Sequence, residues 1–216
     1  INISEQIGLD INTPFDLTSD YPIRVSLYID EHDTKLLINI HHIASDGWST
    51  DILIKELNSY YEHYANNTSL NLAKLSIQYK DFAVWQREFL QDEELDKQIS
   101  YWQDRLLGYE TLNMPTDYPR PAKIDYSGDN VLFEVDEEVS NKLRALAKEN
   151  NSSLYSVMLS AFYVLLHKYT SQEDIVIGTP IANRHHIQTQ DLIGFFVNSL
   201  GLREHIDTNR TIIDLL

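Results

Sequence analysis

His41, His42, Asp46 and Gly47 fall within the seven residues His41-His42-Ile43-Ala44-Ser45-Asp46-Gly47, so two imidazoles, a carboxylate and a glycine share one short stretch. An unperturbed imidazole titrates near about 6.5, which suits either histidine to general acid–base work at neutral pH. A metal site is a second reading, weakened because adjacent residues on a strand diverge and the chain contains no cysteine. A third makes His42 a packed core histidine and Asp46 a helix cap, a position that aspartate favours. A nucleophilic triad is set aside: Ser45 and Ser49 sit in no elbow of the G-x-S-x-G kind.

The elements around the stretch decide how its side chains are aimed. Residues 35–42 alternate polar and apolar, which predicts a strand with Leu37, Asn39 and His41 on one face and Leu36, Ile38, Ile40 and His42 on the other. The two histidines are then expected to point opposite ways. Beyond Gly47, Ile52, Leu53, Leu57, Tyr60, Tyr61 and Tyr64 recur at helical spacing, predicting a helix that Asn66-Asn67 ends. Upstream, a strand over 23–29 and the turn-like Asp30-Glu31-His32-Asp33-Thr34 make residues 23–42 an antiparallel hairpin.

Two more helices are expected over 77–91 and 93–107, with Trp85, Phe89, Tyr101 and Trp102 as their apolar anchors. Pro115, Pro119 and Pro121 mark residues 108–128 as an extended connector and a lobe boundary. Then come a strand over 130–135, a helix over 137–148, a helix over 154–169 and a strand over 174–181. Ser152 and Ser153 are candidate caps for the second of these helices, and Met158, Phe162 and Leu165 its buried stripe. Residues 211–216 read as the first turns of a helix that the chain does not complete. Gly178-Thr179-Pro180 and Gly194 read as turns or close backbone approaches. His185-His186 lies in a polar run without an acidic partner and reads as solvated surface.

Composition excludes several classes. Lysine and arginine number 17 against 33 aspartates and glutamates, a formal charge of −16, and no basic stripe offsets it; this argues against nucleic acid or an anionic membrane as partner. Hydrophobic residues make up 43% of the chain, enough for a packed core. No apolar run is long enough to cross a bilayer and no signal-like start is present, so a cytoplasmic setting is expected. No internal repeat or low-complexity tract points to a solenoid or a disordered chain.

His41-His42-x-x-x-Asp46-Gly47 resembles the HHxxxDG signature of nonribosomal peptide synthetase condensation domains. Three further stretches in the same order strengthen the likeness: Pro14-Phe15-Asp16-Leu17, Tyr79-Lys80-Asp81-Phe82-Ala83-Val84-Trp85-Gln86, and Ile177-Gly178-Thr179-Pro180-Ile181-Ala182-Asn183-Arg184 leading to Ile193-Gly194-Phe195-Phe196-Val197-Asn198. The resemblance covers essentially the whole chain, which looks like the middle portion of a longer domain. It implies a two-lobed α/β fold like that of chloramphenicol acetyltransferase, each lobe a mixed sheet packed with helices. Residues 1–110 would form part of the N-terminal lobe carrying HHxxxDG, 111–128 the connector and 129–216 part of the C-terminal lobe.

The implied activity is amide-bond formation between a donor aminoacyl or peptidyl thioester and the amine of an acceptor aminoacyl thioester. The implied partners are the upstream and downstream peptidyl carrier proteins and an adjacent adenylation domain in the full-length chain. Substrates would arrive on 4'-phosphopantetheine arms, with no cofactor bound by the domain itself. By the same resemblance His42 is the base or the positioner of the amine, beside His41. Gly47 would let a backbone N–H approach the oxyanion. Asp46 would hold the loop through an ion pair with an arginine upstream of Ile1. Asn198 and Ser45 are the candidate substrate contacts. Epimerisation of a carrier-bound residue, a non-catalytic docking module and a free-standing acyltransferase are the alternatives. The 216 residues alone are expected to be inactive.

Overall fold

The computed structural model describes residues 2–31 and 33–216. Its contacts group into two compact units, Ile1–Asp96 with Pro180–Ser199 and Lys97–Thr179 with Leu200–Leu216. This grouping by contact is a different partition from the lobe assignment that the resemblance implies.

The first unit opens with helix α1 (Ile3–Asn12), started by a capping box in which Asn2 and Glu5 satisfy each other's backbone amides. Strands β1 (Ile23–Ile29) and β2 (Thr34–Ile40) pair antiparallel, from Ile23 opposite Ile40 to Ile29 opposite Thr34. The amide of Asp30 donates to the Asp33 carbonyl at 2.9 Å across the turn; His32, part of the expected turn, lies outside the described residues. Asn39 donates from its amide to the carbonyls of Asp10 and Ile11, tying the end of α1 to the strand.

The strand stops at Ile40, two residues short of the expected end. His41 N–H still donates to the Pro22 carbonyl at 2.9 Å, but Pro22 has no N–H to return, and the ladder cannot continue. The chain turns at once into a single 3₁₀ turn, His42–Ala44, and then into helix α2 (Gly47–Asn66). The end of α2 falls where expected, with Asn67 in the left-handed region at φ 52°.

Helix α3 (Tyr79–Phe89) and helix α4 (Asp92–Leu106) match the expected pair to within two residues. Their anchors differ from expectation. Phe82 is the buried aromatic of α3 and joins Leu192 and Phe196 in the first unit's core, with Leu75, Ile77 and Tyr79 against it. Trp85 and Phe89 stack on each other outside that core with ring centroids 5.1 Å apart, and Tyr101 is exposed. The inward stripe of α3 passes through Tyr79, Phe82, Ala83 and Gln86, and Trp85 lies to one side of it.

In the second unit, helix α5 (Glu137–Glu149) and helix α6 (Leu154–Thr170) are as expected; strand β3 (Asp174–Ile181), also as expected, belongs to it up to Thr179 and is hydrogen-bonded to strand β4 (Asn198–His205), which belongs to it from Leu200. Ser153, not Ser152, caps α6 by accepting from Ser156 N–H at 3.0 Å. Met158, Phe162 and Leu165 are exposed, and Val157, Ser160, Tyr163 and Leu166 are buried in their place. Helix α6 is apolar nearly all round, so spacing alone could not select its face. The deciding groups are polar tips that find partners: Tyr163 donates to the Leu202 carbonyl at 2.8 Å and Ser160 to that of Leu215 at 3.2 Å. Ile175 and Ile206 complete this core with Tyr163 and Leu166.

Residues 109–135 contain neither helix nor strand, as expected of the connector but not of 130–135. Val131, Leu132 and Phe133 are 89%, 93% and 81% exposed, and among the described residues no strand pairs with them, so the apolar run forms no ladder. A short helix α7 (Ile212–Leu215) forms where the start of a helix was expected. Among the described residues no helix is long and apolar enough to cross a membrane.

Candidate active site

The two histidines diverge, though by a turn and not by strand alternation. His41 keeps extended backbone and its Nδ1 accepts the Ile43 N–H at 3.0 Å. Its ring meets Phe15 edge-on, centroids 5.8 Å apart, and Arg24 in turn lies 4.0 Å over Phe15 while donating to the carbonyls of Thr13 and Pro14. The Pro14-Phe15-Asp16-Leu17 stretch therefore serves His41. His42 is exposed and faces other partners: Phe195, edge-on at 5.2 Å, and the Ser45 carbonyl, 2.6 Å from Nδ1.

These contacts give the two rings opposite hydrogen placement. A carbonyl oxygen only accepts, so His42 Nδ1 carries the hydrogen and the neutral ring holds its lone pair on Nε2. His41 Nδ1 is itself an acceptor, which puts the hydrogen of its neutral ring on Nε2. Only His42 offers a basic nitrogen on its outer edge. Ser45 acts here through its carbonyl, and its buried hydroxyl lies 3.4 Å from the Asp46 carbonyl.

Asp46 caps α2 and does more. Its Oδ1 accepts from Ser49 N–H at 2.9 Å, from Ser49 Oγ at 2.7 Å and from Arg184 Nη2 at 3.0 Å, and its Oδ2 accepts from Phe196 N–H at 3.0 Å. The side chains of Asp46 and Arg184 are 0% and 1% exposed, a fully buried ion pair. The partner of Asp46 is thus Arg184, inside the chain, and not an arginine upstream of Ile1. Burial pushes the Asp46 carboxyl up, but the hydrogen bonds of Ser49, Phe196 and Arg184 outweigh it and hold the group below its ordinary value.

Arg184 also donates from Nη1 to the carbonyls of Thr189 (2.5 Å) and Leu192 (2.7 Å) and from Nη2 to Ser49 Oγ (2.8 Å), with its guanidinium 4.0 Å over the Phe196 ring. Ser49 Oγ accepts from Gly194 N–H at 3.1 Å and lies 2.9 Å from the Gly194 carbonyl. Asp46, Ser49 and Arg184 therefore lock the 184–196 segment to the start of α2. Trp48 adds a bond from Nε1 to the Gln190 carbonyl at 2.9 Å.

Sequence reasoning reached Asp46 but missed Ser49 and Arg184. The available signal was Arg184 itself, the one cation closing the apolar run 177–184. Gly47 is exposed at the first position of α2, and a Cβ there would meet nothing within 4 Å, so its backbone is open to a ligand. Asn198 begins β4, is exposed and accepts the Ser199 N–H at 2.8 Å with its own side chain; among the described residues no hydrogen bond joins it to the histidines. His185 and His186 are exposed, as expected, and His186 meets Trp85 edge-on at 4.8 Å.

The family model described as condensation domain matches residues 1–216. The chain belongs to the condensation domain family. The mixed α/β, chloramphenicol acetyltransferase-like class expected from the motifs is borne out with it. Gramicidin S synthase 2 of Brevibacillus brevis is 42% identical to this condensation-domain chain over 214 residues, covering 98% of the chain and 5% of the synthase. Among solved structures, a four-domain nonribosomal peptide synthetase bound to AMP and glycine aligns at TM-score 0.83 and 29% identity, over all of this chain and 17% of the other. The X-domain from teicoplanin biosynthesis aligns at TM-score 0.83 and 25% identity, over 96% of this chain and 48% of the other. The chain thus spans a few per cent of the curated synthases it matches and about half or less of these solved chains.

Proposed function

We propose that the chain carries the reacting centre of a peptide-forming condensation domain, with His42 as the group that accepts the proton of the attacking amine or fixes its lone pair. The observation that carries this is the bond from His42 Nδ1 to the Ser45 carbonyl, which leaves Nε2 as a free acceptor on an exposed ring. The donor is an aminoacyl or peptidyl thioester on an upstream carrier protein, and the nucleophile is the α-amine of an aminoacyl thioester on a downstream carrier.

The amine attacks the thioester carbonyl and forms a C–N bond. The carbonyl electron pair moves onto oxygen, beside the open backbone at Gly47, where an N–H stabilises the developing charge. Collapse breaks the C–S bond. The proton taken up at His42 Nε2 passes to the departing thiol of the donor's phosphopantetheine arm, and the amide stays on the acceptor arm. Positioning and proton transfer of this kind contribute about 10² to 10⁴ in rate.

Both arms are substrates carried by partner domains, so no cofactor of the chain's own enters the reaction. An adenylation domain in the same polypeptide and a cytoplasmic setting belong to this reading. So does the assignment of residues 1–110 and 129–216 to two lobes joined by 111–128. Asn198 and Ser45 remain the proposed substrate contacts. These 216 residues by themselves are proposed to be inactive.

The test uses the complete domain with loaded donor and acceptor carriers in a single turnover. His42→Ala is expected to lower dipeptidyl transfer by two or more orders of magnitude with the fold intact, and His41→Ala to lower it less. Transfer near the wild-type rate in His42→Ala removes the assignment. Solvent deuterium entering the α-position of one carrier-bound residue, with no dipeptide formed from two, points to epimerisation instead.

A further inference from the structure

Residues 194–196 are clasped at three backbone atoms: the Gly194 N–H by Ser49 Oγ, the Phe195 carbonyl by the Tyr79 hydroxyl at 2.7 Å, and the Phe196 N–H by Asp46 Oδ2. Ser49 and Asp46 belong to the buried ion-pair network. Tyr79 comes from elsewhere, as the first residue of α3, and is rooted by the capping pair Gln78 and Asp81 and by the neighbouring core residue Phe82.

The ring of Tyr79 lies directly on Gly194. A Cβ at that glycine would sit 2.2, 2.7 and 2.9 Å from three of its ring carbons, so only glycine admits the ring this close. The same ring meets Phe196 edge-on at 5.2 Å. With its ring seated against Gly194 and Phe196, the hydroxyl reaches the carbonyl between them.

What that carbonyl carries is the Phe195 side chain, which meets the His42 imidazole edge-on, centroids 5.2 Å apart. Phe195 is 39% exposed, so packing does not by itself lock its ring, and the direction of the ring follows from the backbone beneath it. His42 has one hydrogen-bonded anchor at Nδ1 and this aromatic neighbour. A shift at Phe195 therefore moves a wall of the imidazole.

We propose that Tyr79 is a positioning residue for His42: its hydroxyl holds the Phe195 carbonyl, and the Phe195 ring holds the imidazole in the orientation that aims Nε2 at the amine. The proposal rests on the reading of His42 as the reacting histidine. Tyr79 touches no reacting atom and acts only through Phe195.

The experiment compares Tyr79→Phe, Phe195→Ala and the double variant in the complete condensation domain. Tyr79→Phe keeps the ring over Gly194 and removes only the hydroxyl, so its unfolding midpoint is expected to stay close to wild type. Single-turnover transfer at saturating loaded carriers is expected to fall about tenfold, the scale of one lost hydrogen bond. Because both residues act through one ring, the double variant is expected to be no slower than Phe195→Ala alone. Multiplicative losses, or a wild-type rate in Tyr79→Phe, overturn the proposal.

A second readout needs no turnover. With histidine-selective isotope labelling, the His42 ring resonances, identified by their loss in His42→Ala, are expected to shift in Tyr79→Phe. Those of His41, packed on Phe15, are expected to stay. An unmoved His42 signal overturns the positioning role whatever the kinetics. A moved signal in a protein that forms no dipeptide upholds it and places the failure in the proposed reaction.

Discussion

Removing the Arg184 side chain is expected to cost the complete domain about 3–5 kcal/mol, the range for breaking a buried ion pair from one side. Four donated hydrogen bonds disappear with it, to Asp46, Ser49, Thr189 and Leu192. Asp46 keeps Ser49 N–H, Ser49 Oγ and Phe196 N–H but loses its countercharge, in a site where its side chain is 0% exposed. The Leu192 carbonyl loses its guanidinium donor, an unpaired buried acceptor costing about 1–3 kcal/mol, while the Thr189 carbonyl keeps the Leu192 N–H. The cation over Phe196, worth about 1 kcal/mol or more, goes as well. These losses overlap and do not add, which keeps the expected total within the ion-pair range. Urea unfolding of Arg184→Ala should show a lower midpoint at unchanged slope. Asp46→Asn placed in that background should recover part of the loss, because an amide tolerates burial without a cation, whereas Asp46→Asn alone should destabilise by orphaning Arg184. A loss below about 1 kcal/mol for Arg184→Ala, the worth of an exposed pair, would refute the reasoning; so would strict additivity of the two substitutions.

Acid should weaken the domain in a defined window. Asp46 and Asp174 are both held below the ordinary carboxylate value of 3.8, Asp174 chiefly by its bond from Arg203, so the unfolded chain binds more protons and their stabilisation is full above about pH 4 and lost as pH falls through the folded values. Stability measured against pH in Arg184→Ala should lose the Asp46 contribution at a higher pH than wild type, and an unmoved acid transition would count against the pair. Arg203 meets Asp174 through two parallel bonds of 2.8 and 2.6 Å and donates to the carbonyls of Arg105 and Leu107. With side chains 21% and 28% exposed, that pair is partly solvated, and Arg203→Ala is expected to cost about 1–2 kcal/mol, clearly less than Arg184→Ala in the same unfolding assay.

What was legible in the chain was local periodicity and capping chemistry. The helix after Gly47 could be placed because Asp46 suits its start and Asn66-Asn67 its end, and α6 because serines precede its apolar repeat. What was not legible depended on partners far away in sequence. The strand expected over 130–135 needs a ladder that its own residues cannot supply. The buried face of α6 was chosen by carbonyls of Leu202 and Leu215, and nothing in 154–170 announces them. The alternation of 35–42 ran on to His42 because periodicity does not see that the opposite residue is a proline.

The site followed the same division. His41, His42, Asp46 and Gly47 were visible as residue types, yet the difference between the histidines arises from backbone groups, Ile43 N–H for one and the Ser45 carbonyl for the other. That carbonyl belongs to the residue immediately before Asp46, and Asp46 is immobilised through both of its oxygens by Ser49, Arg184 and Phe196. A carboxylate with both oxygens engaged and no exposed surface cannot reach a substrate. Its influence on the proposed reaction would run through the backbone, by keeping the Ser45 carbonyl where it holds hydrogen on His42 Nδ1. A loosened Asp46 should therefore let the imidazole turn or change tautomer and withdraw the lone pair from Nε2, so that substitutions at Arg184 slow transfer even under conditions where the domain stays folded.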